Sequence, residues 1–223
     1  MRGLMVMSLV FAVACGSTPQ GQKDADKLNT AVEKLGATAD AAESNLLILK
    51  EKYIALLDAS GDLKKPYQEF DAALKTCEGL VNDMEKTLGS TNVAAATYFE
   101  GYEANLAKIE SESVREQARG RLEDRRAAYK AFQGHVEAGI QNYKPLLSTL
   151  RDHATALGLE LTPASVKTIA SDREMVSKQA DEWMKRNEAI KADVEGFLAS
   201  NRPETEMAPE PKAEADAAAE KKQ

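Results

Sequence analysis

The chain has 223 residues, 29% of them charged and only 5% aromatic, and a net charge of -7. Such a composition belongs to long helices and coiled coils rather than to sheets. The acidic balance excludes the basic footprint of a nucleic-acid binder.

The first element is an apolar run from Leu4 to Ala14, broken only by Ser8 and preceded by Met1 and Arg2. A bilayer span needs ~17–25 apolar residues, so this run is too short to cross. It has the size of a signal-peptide apolar region, with small residues placed for cleavage before Cys15. The tetrad Ala12-Val13-Ala14-Cys15, followed by Gly16, resembles the lipobox of bacterial lipoproteins, in which Leu is commoner than Ala at the first position. The resemblance implies that residues 1–14 are removed and that Cys15 becomes the lipid-attachment residue. Gly16 in place of Asp implies sorting to the outer membrane, on its periplasmic face. The alternative is an ordinary secretory signal with an incidental cysteine. A polar linker carries the chain from Cys15 through Lys23.

Apolar residues then recur in alternating steps of three and four. The first seam is Ala25, Leu28, Val32, Leu35, Ala39, Ala42, Leu46, Leu49, Tyr53 and Leu56, which predicts a helix over about 24–59. Leu47, Ile48, Ile54 and Leu57 widen its face, as suits a multi-helix bundle. Ser60-Gly61-Asp62 is a turn, and Asp62 is read as the cap of a second helix over about 63–110 with Pro66 in its first turn. Its seam runs from Tyr67 and Phe70 through Cys77, Met84, Thr91 and Tyr98 to Ile109, with a stutter at Leu106. Ser113-Val-Arg-Glu116 has the form of a capping box and starts a third helix over about 113–158. Pro145 lies inside that helix and predicts a kink. Thr162-Pro163 opens the fourth, about 163–199, with Val166, Ile169, Val176, Trp183, Ile190 and Phe197 in its seam. Residues 201–223 hold one large apolar residue, Met207, and are expected to be disordered.

Short connections make successive helices antiparallel neighbours. The predicted fold is therefore all-α: an elongated antiparallel four-helix bundle or coiled coil over residues 24–200, with a kinked third helix and a middle hairpin projecting past the outer pair. A monomer or weak homo-oligomer is expected.

Residues suited to chemistry are few. With two His and two Cys, the chain shows no His-Glu-x-x-His, no Glu-x-x-His, no Gly-x-Ser-x-Gly, no phosphate-cradling Gly-rich loop and no Cys-x-x-Cys. No catalytic, metal or cofactor residue is assigned, and no enzymatic activity is expected. Cys77, at a seam position, reads as a buried inert thiol. His153, Arg125, Arg173 and Asn187 are polar residues at seam positions, read as structural devices that fix register. The densest basic stretch, Arg115, Arg119, Arg121, Arg125 and Arg126, is diluted by Glu123 and Asp124, with Arg119 and Glu123 spaced to pair. Arg115, Arg119, Arg121 and Arg126 are the candidate interaction patch for lipid headgroups or another anionic envelope component.

The run Arg119-Gly-Arg-Leu-Glu-Asp-Arg-Arg-Ala-Ala-Tyr129 and the run Tyr143-Lys-Pro-Leu-Leu-Ser-Thr-Leu-Arg-Asp152 resemble a bacterial helical family, domain of unknown function 2959. Gly61-Asp62-Leu63 and the Tyr98-Phe-Glu segment are similar too, and the resemblance spans roughly residues 25–200. The chain departs from it at Gly158-Leu-Glu-Leu-Thr-Pro163, where the family carries an Asn-containing turn. The resemblance implies a helical fold and an envelope location and transfers no site.

These readings lead to a lipid-anchored cell-envelope protein whose bundle serves as a protein-interaction or spacer module. It would meet the membrane through the lipid on Cys15, have unidentified envelope proteins as partners, and bind no nucleic acid. The rival is a membrane-active protein that inserts into or reshapes lipid; its best segment, Leu46–Leu57, contains Lys50, Glu51 and Lys52, which oppose insertion.

Overall fold

The computed structural model describes residues 20–201. The expected signal peptide, Cys15, the start of the linker and the C-terminal tail lie outside the described residues. The elements are α1 (Gln20–Leu57), α2 (Lys64–Leu106), α3 (Glu112–Leu159), α4 (Pro163–Ile169), a 3-10 turn (Ala170–Asp172) and α5 (Arg173–Asn201), with no strand among the described residues. α1 packs on α2, α2 on α3, α3 on α5 and α5 back on α1, closing a four-cornered antiparallel bundle. At 1.5 Å per residue, the 48 residues of α3 extend about 72 Å.

The seams become the core. Leu28, Val32, Leu35, Leu49 and Tyr53 of α1 are fully covered, as are Phe70, Cys77 and Met84 of α2, Phe132, Val136, Tyr143 and Leu157 of α3, and Ile190 of α5. Each fully buried large apolar side chain contributes ~1.5–3 kcal/mol. The core reaches from Leu28 to Phe197 in sequence, so a chain starting at Gly16 retains all of it.

Four details differ from the sequence reading. α1 begins at Gln20, so Gln20–Lys23 are helical rather than linker. Its Gly21 lies level with Asn105 near the end of α2, so the middle hairpin does not project past α1 at that end. Leu47 and Ile48 are over two-fifths exposed, which leaves the apolar face of α1 narrower than expected. Asp24, not Ala25, is the buried residue at the head of the first seam; it accepts a hydrogen bond from the Gln20 amide at 2.8 Å.

The helix ends follow local chemistry. Gly61 has φ +100°, a left-handed conformation that suits glycine, and turns the chain from α1 into α2. Leu63 occupies the cap position of α2, while Asp62 accepts from the Lys64 amide at 2.9 Å from one residue further out. α3 is capped at Ser111 rather than Ser113, and without a side-chain hydrogen bond. There the Arg115 amide bonds the Ser111 carbonyl at 2.9 Å, and the Arg115 side chain pairs with Glu112 and reaches the Ile109 carbonyl at 3.2 Å. The arginine therefore ties the α2–α3 connection from within the first turn. α3 runs as one helix through Pro145. Both Pro145 and Gln141, whose carbonyl loses its helical donor, lie on the exposed face, so that no buried carbonyl is orphaned there. Thr162 caps α4 by accepting from the Ser165 amide at 3.2 Å, with Pro163 in the first turn.

Candidate functional site

The expected fourth helix is interrupted, and the interruption has a partner. In the 3-10 turn the Arg173 amide bonds Ala170, three residues back. The carbonyl of Ile169, where the α-helical ladder gives way to the 3-10 turn, also accepts from the Tyr53 hydroxyl of α1 at 3.1 Å. The same hydroxyl lies 3.2 Å from Nδ1 of His153 in α3, and Nε2 of His153 lies 3.0 Å from the carboxylate of Asp172. A tyrosine hydroxyl has one hydrogen, so donation to Ile169 makes it an acceptor toward His153. Burial, with the Asp172 charge adding to it, pushes the Tyr53 hydroxyl up to about 12. The cluster therefore joins α1, α3, α4 and the 3-10 turn, and it leaves His153 buried and hydrogen-bonded.

The other polar seam residues have distinct fates. Asn187 is fully buried; its amide donates to Glu43 of α1, and its side-chain oxygen has no partner among the described residues. Burial opposes ionisation of Glu43, but hydrogen bonds from Lys191 and Asn187 hold its carboxyl below the usual range. Arg173 sits at the surface, paired with Asp58. Cys77 is buried, and burial pushes its thiol up to about 11, consistent with an inert side chain.

The basic stretch of α3 separates into two groups. Arg119 pairs with Glu116 at 2.7 Å, one turn back, rather than with Glu123. Arg126 pairs with Glu103 of α2 at 2.6 Å and lies over the Phe99 ring. Together with the Glu112-paired Arg115, these three form a charge-balanced surface around a shallow depression that also holds Glu103 and Glu123. Arg121 and Arg125 face a different cleft, and no carboxylate pairs with either among the described residues. Arg125 meets the hydroxyl of Tyr98, which accepts from it, and the carbonyl of Ser200 at 3.5 Å.

That cleft has a volume of about 430 Å³ and lies between the start of α1, the end of α2 and the start of α3. Its apolar wall includes Ala25, Tyr102, Leu106, Ile109, Val114 and Ala118. Val114 is half exposed, and Ile109 and Tyr102 are partly so. The lining contains two guanidinium groups and no carboxylate. Sequence reasoning singled out Arg121 but grouped it with arginines that the fold neutralises. The signal that separates them is the helical spacing: Arg121 and Arg125 share a face with Val114 and Ala118, whereas Arg119 and Arg126 do not.

Among the described residues no group of His, Cys, Asp and Glu is arranged to hold a metal ion, and no helix is long and apolar enough to cross a membrane. A family model described as a protein of unknown function (DUF2959) matches residues 17–200. The chain belongs to this family. No curated protein and no solved structure matches it. The DUF2959 match begins three residues before Gln20 and ends one residue short of Asn201, so it covers the whole bundle and both features described above.

Proposed function

We propose that this DUF2959 protein is a lipid-anchored component of the bacterial cell envelope, held through Cys15 on the periplasmic face of the outer membrane. Its non-catalytic bundle acts as a protein-interaction or spacer module, as a monomer or weak homo-oligomer. The observation that carries the reading is the lipobox-like Ala12-Val13-Ala14-Cys15 tetrad, followed after only four residues by the start of a rigid helix at Gln20. Five residues span at most ~17–18 Å, so an anchor on Cys15 would hold that end of the bundle close to the bilayer. The absence of a bilayer-length apolar helix among the described residues favours a module that stands on the membrane over one that inserts.

In a bacterial host, the full chain is expected to incorporate labelled palmitate and to fractionate with membranes, and Cys15→Ala is expected to lose both. Continued labelling of the Cys15→Ala chain would overturn the anchor.

A further inference from the structure

We infer that the cleft between the start of α1, the end of α2 and the start of α3 binds one anionic phospholipid of the bilayer, with its phosphate on Arg121 and Arg125 and an acyl chain along the apolar wall. The inference rests on the anchored reading for its access to lipid, and three observations on the cleft itself carry the chemistry.

The first is charge. The chain as a whole is acidic, at -7, yet this cleft is lined by two arginines and no carboxylate. The neighbouring depression mixes Arg115, Arg119 and Arg126 with Glu103 and Glu123, so its field is cancelled locally. A guanidinium fork without a carboxylate partner is a preformed donor set for a phosphate oxygen, and charge-assisted bonds of that kind are the strong ones.

The second is the shape and polarity of the wall. Beyond the arginines the surface is apolar, built from Ala25, Ile109, Val114 and Ala118, with the rings of Tyr98 and Tyr102 beside them. Incompletely covered Val114 and Ile109 are the surface that an acyl chain would remove from water. Tyr98 already orients Arg125 through its hydroxyl, so the head-group donor is held in place rather than left to wave in solvent. An inorganic anion would use the arginines and leave the wall wet; a neutral lipid would use the wall and leave the arginines without a partner. An anionic lipid uses both.

The third is position. Gly21 and Gln22, in the first turn of α1, line the cleft. The proposed attachment residue Cys15 is thus within ~20–25 Å of contour length from the cleft, which places the cleft at bilayer level rather than at the far end of a bundle tens of ångströms long.

The test uses the chain from Gly16 to Gln223, which keeps the entire core, and titrates it calorimetrically with dioctanoyl-phosphatidylglycerol, dioctanoyl-phosphatidylcholine and inorganic phosphate, each below its aggregation limit. One-to-one binding of the phosphatidylglycerol is expected, about tenfold or more tighter than the phosphatidylcholine, with no saturable binding of phosphate alone. Arg121→Gln is expected to weaken phosphatidylglycerol binding about tenfold. Val114→Asp, on an exposed wall position that the core does not need, is expected to abolish it. Circular dichroism on each variant checks that the helices remain. Equal binding of the two lipids, or unchanged phosphatidylglycerol affinity in both variants, would overturn the inference. So would binding that appears only after residues 202–223 are deleted, which would make the protein's own tail the occupant, or concentration-dependent dimerisation lost in Val114→Asp, which would make it a second copy. Because this chain lacks Cys15, the result is independent of the palmitate experiment: labelling that persists in Cys15→Ala while the Gly16–Gln223 chain binds lipid removes the anchor alone, and labelling lost in Cys15→Ala while the Gly16–Gln223 chain fails to bind removes the cleft site alone.

Discussion

The two ends of the bundle treat their polar residues in opposite ways. At the end where α4 and the 3-10 turn cross, Tyr53, His153, Asp172 and the Ile169 carbonyl meet one another across four elements. At the end where α1 begins, Arg121 and Arg125 line an open apolar cleft without a carboxylate. A buried polar group costs stability unless it is paired, so the closed cluster is explained by the fold it holds together. Arg125 donates to the hydroxyl of buried Tyr98, but Arg121 satisfies no buried group among the described residues, and the fold alone does not account for it. Perturbing each region should therefore separate what supports the bundle from what the bundle supports.

The largest effect is expected in the middle of the core, on the closed side. Trp183 is nearly fully buried, packs against Tyr143 with the rings tilted by 32° and their centroids 4.7 Å apart, and donates its indole hydrogen to the Gly139 carbonyl at 3.0 Å. α5 can approach α3 there because Gly139 has no side chain; an added Cβ would meet Ile190 at 3.2 Å. Trp183→Ala should cost about 3–5 kcal/mol in urea unfolding. A cost below 1 kcal/mol would mean that α5 is not held at this seam.

Tyr53→Phe tests the cluster itself. It removes one oxygen, and with it the hydroxyl contacts to the Ile169 carbonyl and to Nδ1 of His153. The expected loss is about 1–3 kcal/mol, again from the unfolding midpoint. An unchanged midpoint would show that the 3-10 turn forms without the hydroxyl and that the closed end is closed by apolar packing alone.

How much of this was legible in the sequence follows from the same contrast. Period-3.5 spacing is dictated by burial, so seam residues such as Leu35, Phe70, Tyr143 and Ile190 could be read directly, and the four-cornered bundle with them. Thr162-Pro163 was equally legible because its cap is local. The cap at Ser111 was not: the Ser113-Glu116 box competes with it in sequence, and Arg115, by binding both Glu112 and the Ile109 carbonyl, fixes the earlier start. The break at Ala170–Asp172 was hidden because the hydroxyl that meets it, that of Tyr53, lies 116 residues away from Ile169. The same limit applies to the arginines. Spacing along α3 shows a basic stretch, but which of its members find a carboxylate depends on α2, where Glu103 reaches Arg126 and, among the described residues, nothing comparable reaches Arg121.

The smallest effect is expected at the open end, and its smallness is informative. Arg121 is exposed and has no charged partner among the described residues, so Arg121→Gln should shift the unfolding free energy by no more than about 0.5 kcal/mol. An arginine placed for stability would behave otherwise: loss of Arg126, which pairs with Glu103 and covers the Phe99 ring, removes packing as well as charge. If Arg121→Gln destabilises the bundle by 1 kcal/mol or more, Arg121 belongs with the structural residues and the contrast between the two ends disappears. If the bundle is indifferent to it, the residue brings no benefit to the fold, in a cleft whose charged lining, among the described residues, is positive. A side chain that the fold does not require, beside apolar surface that the fold leaves uncovered, is what a ligand site looks like before its ligand arrives.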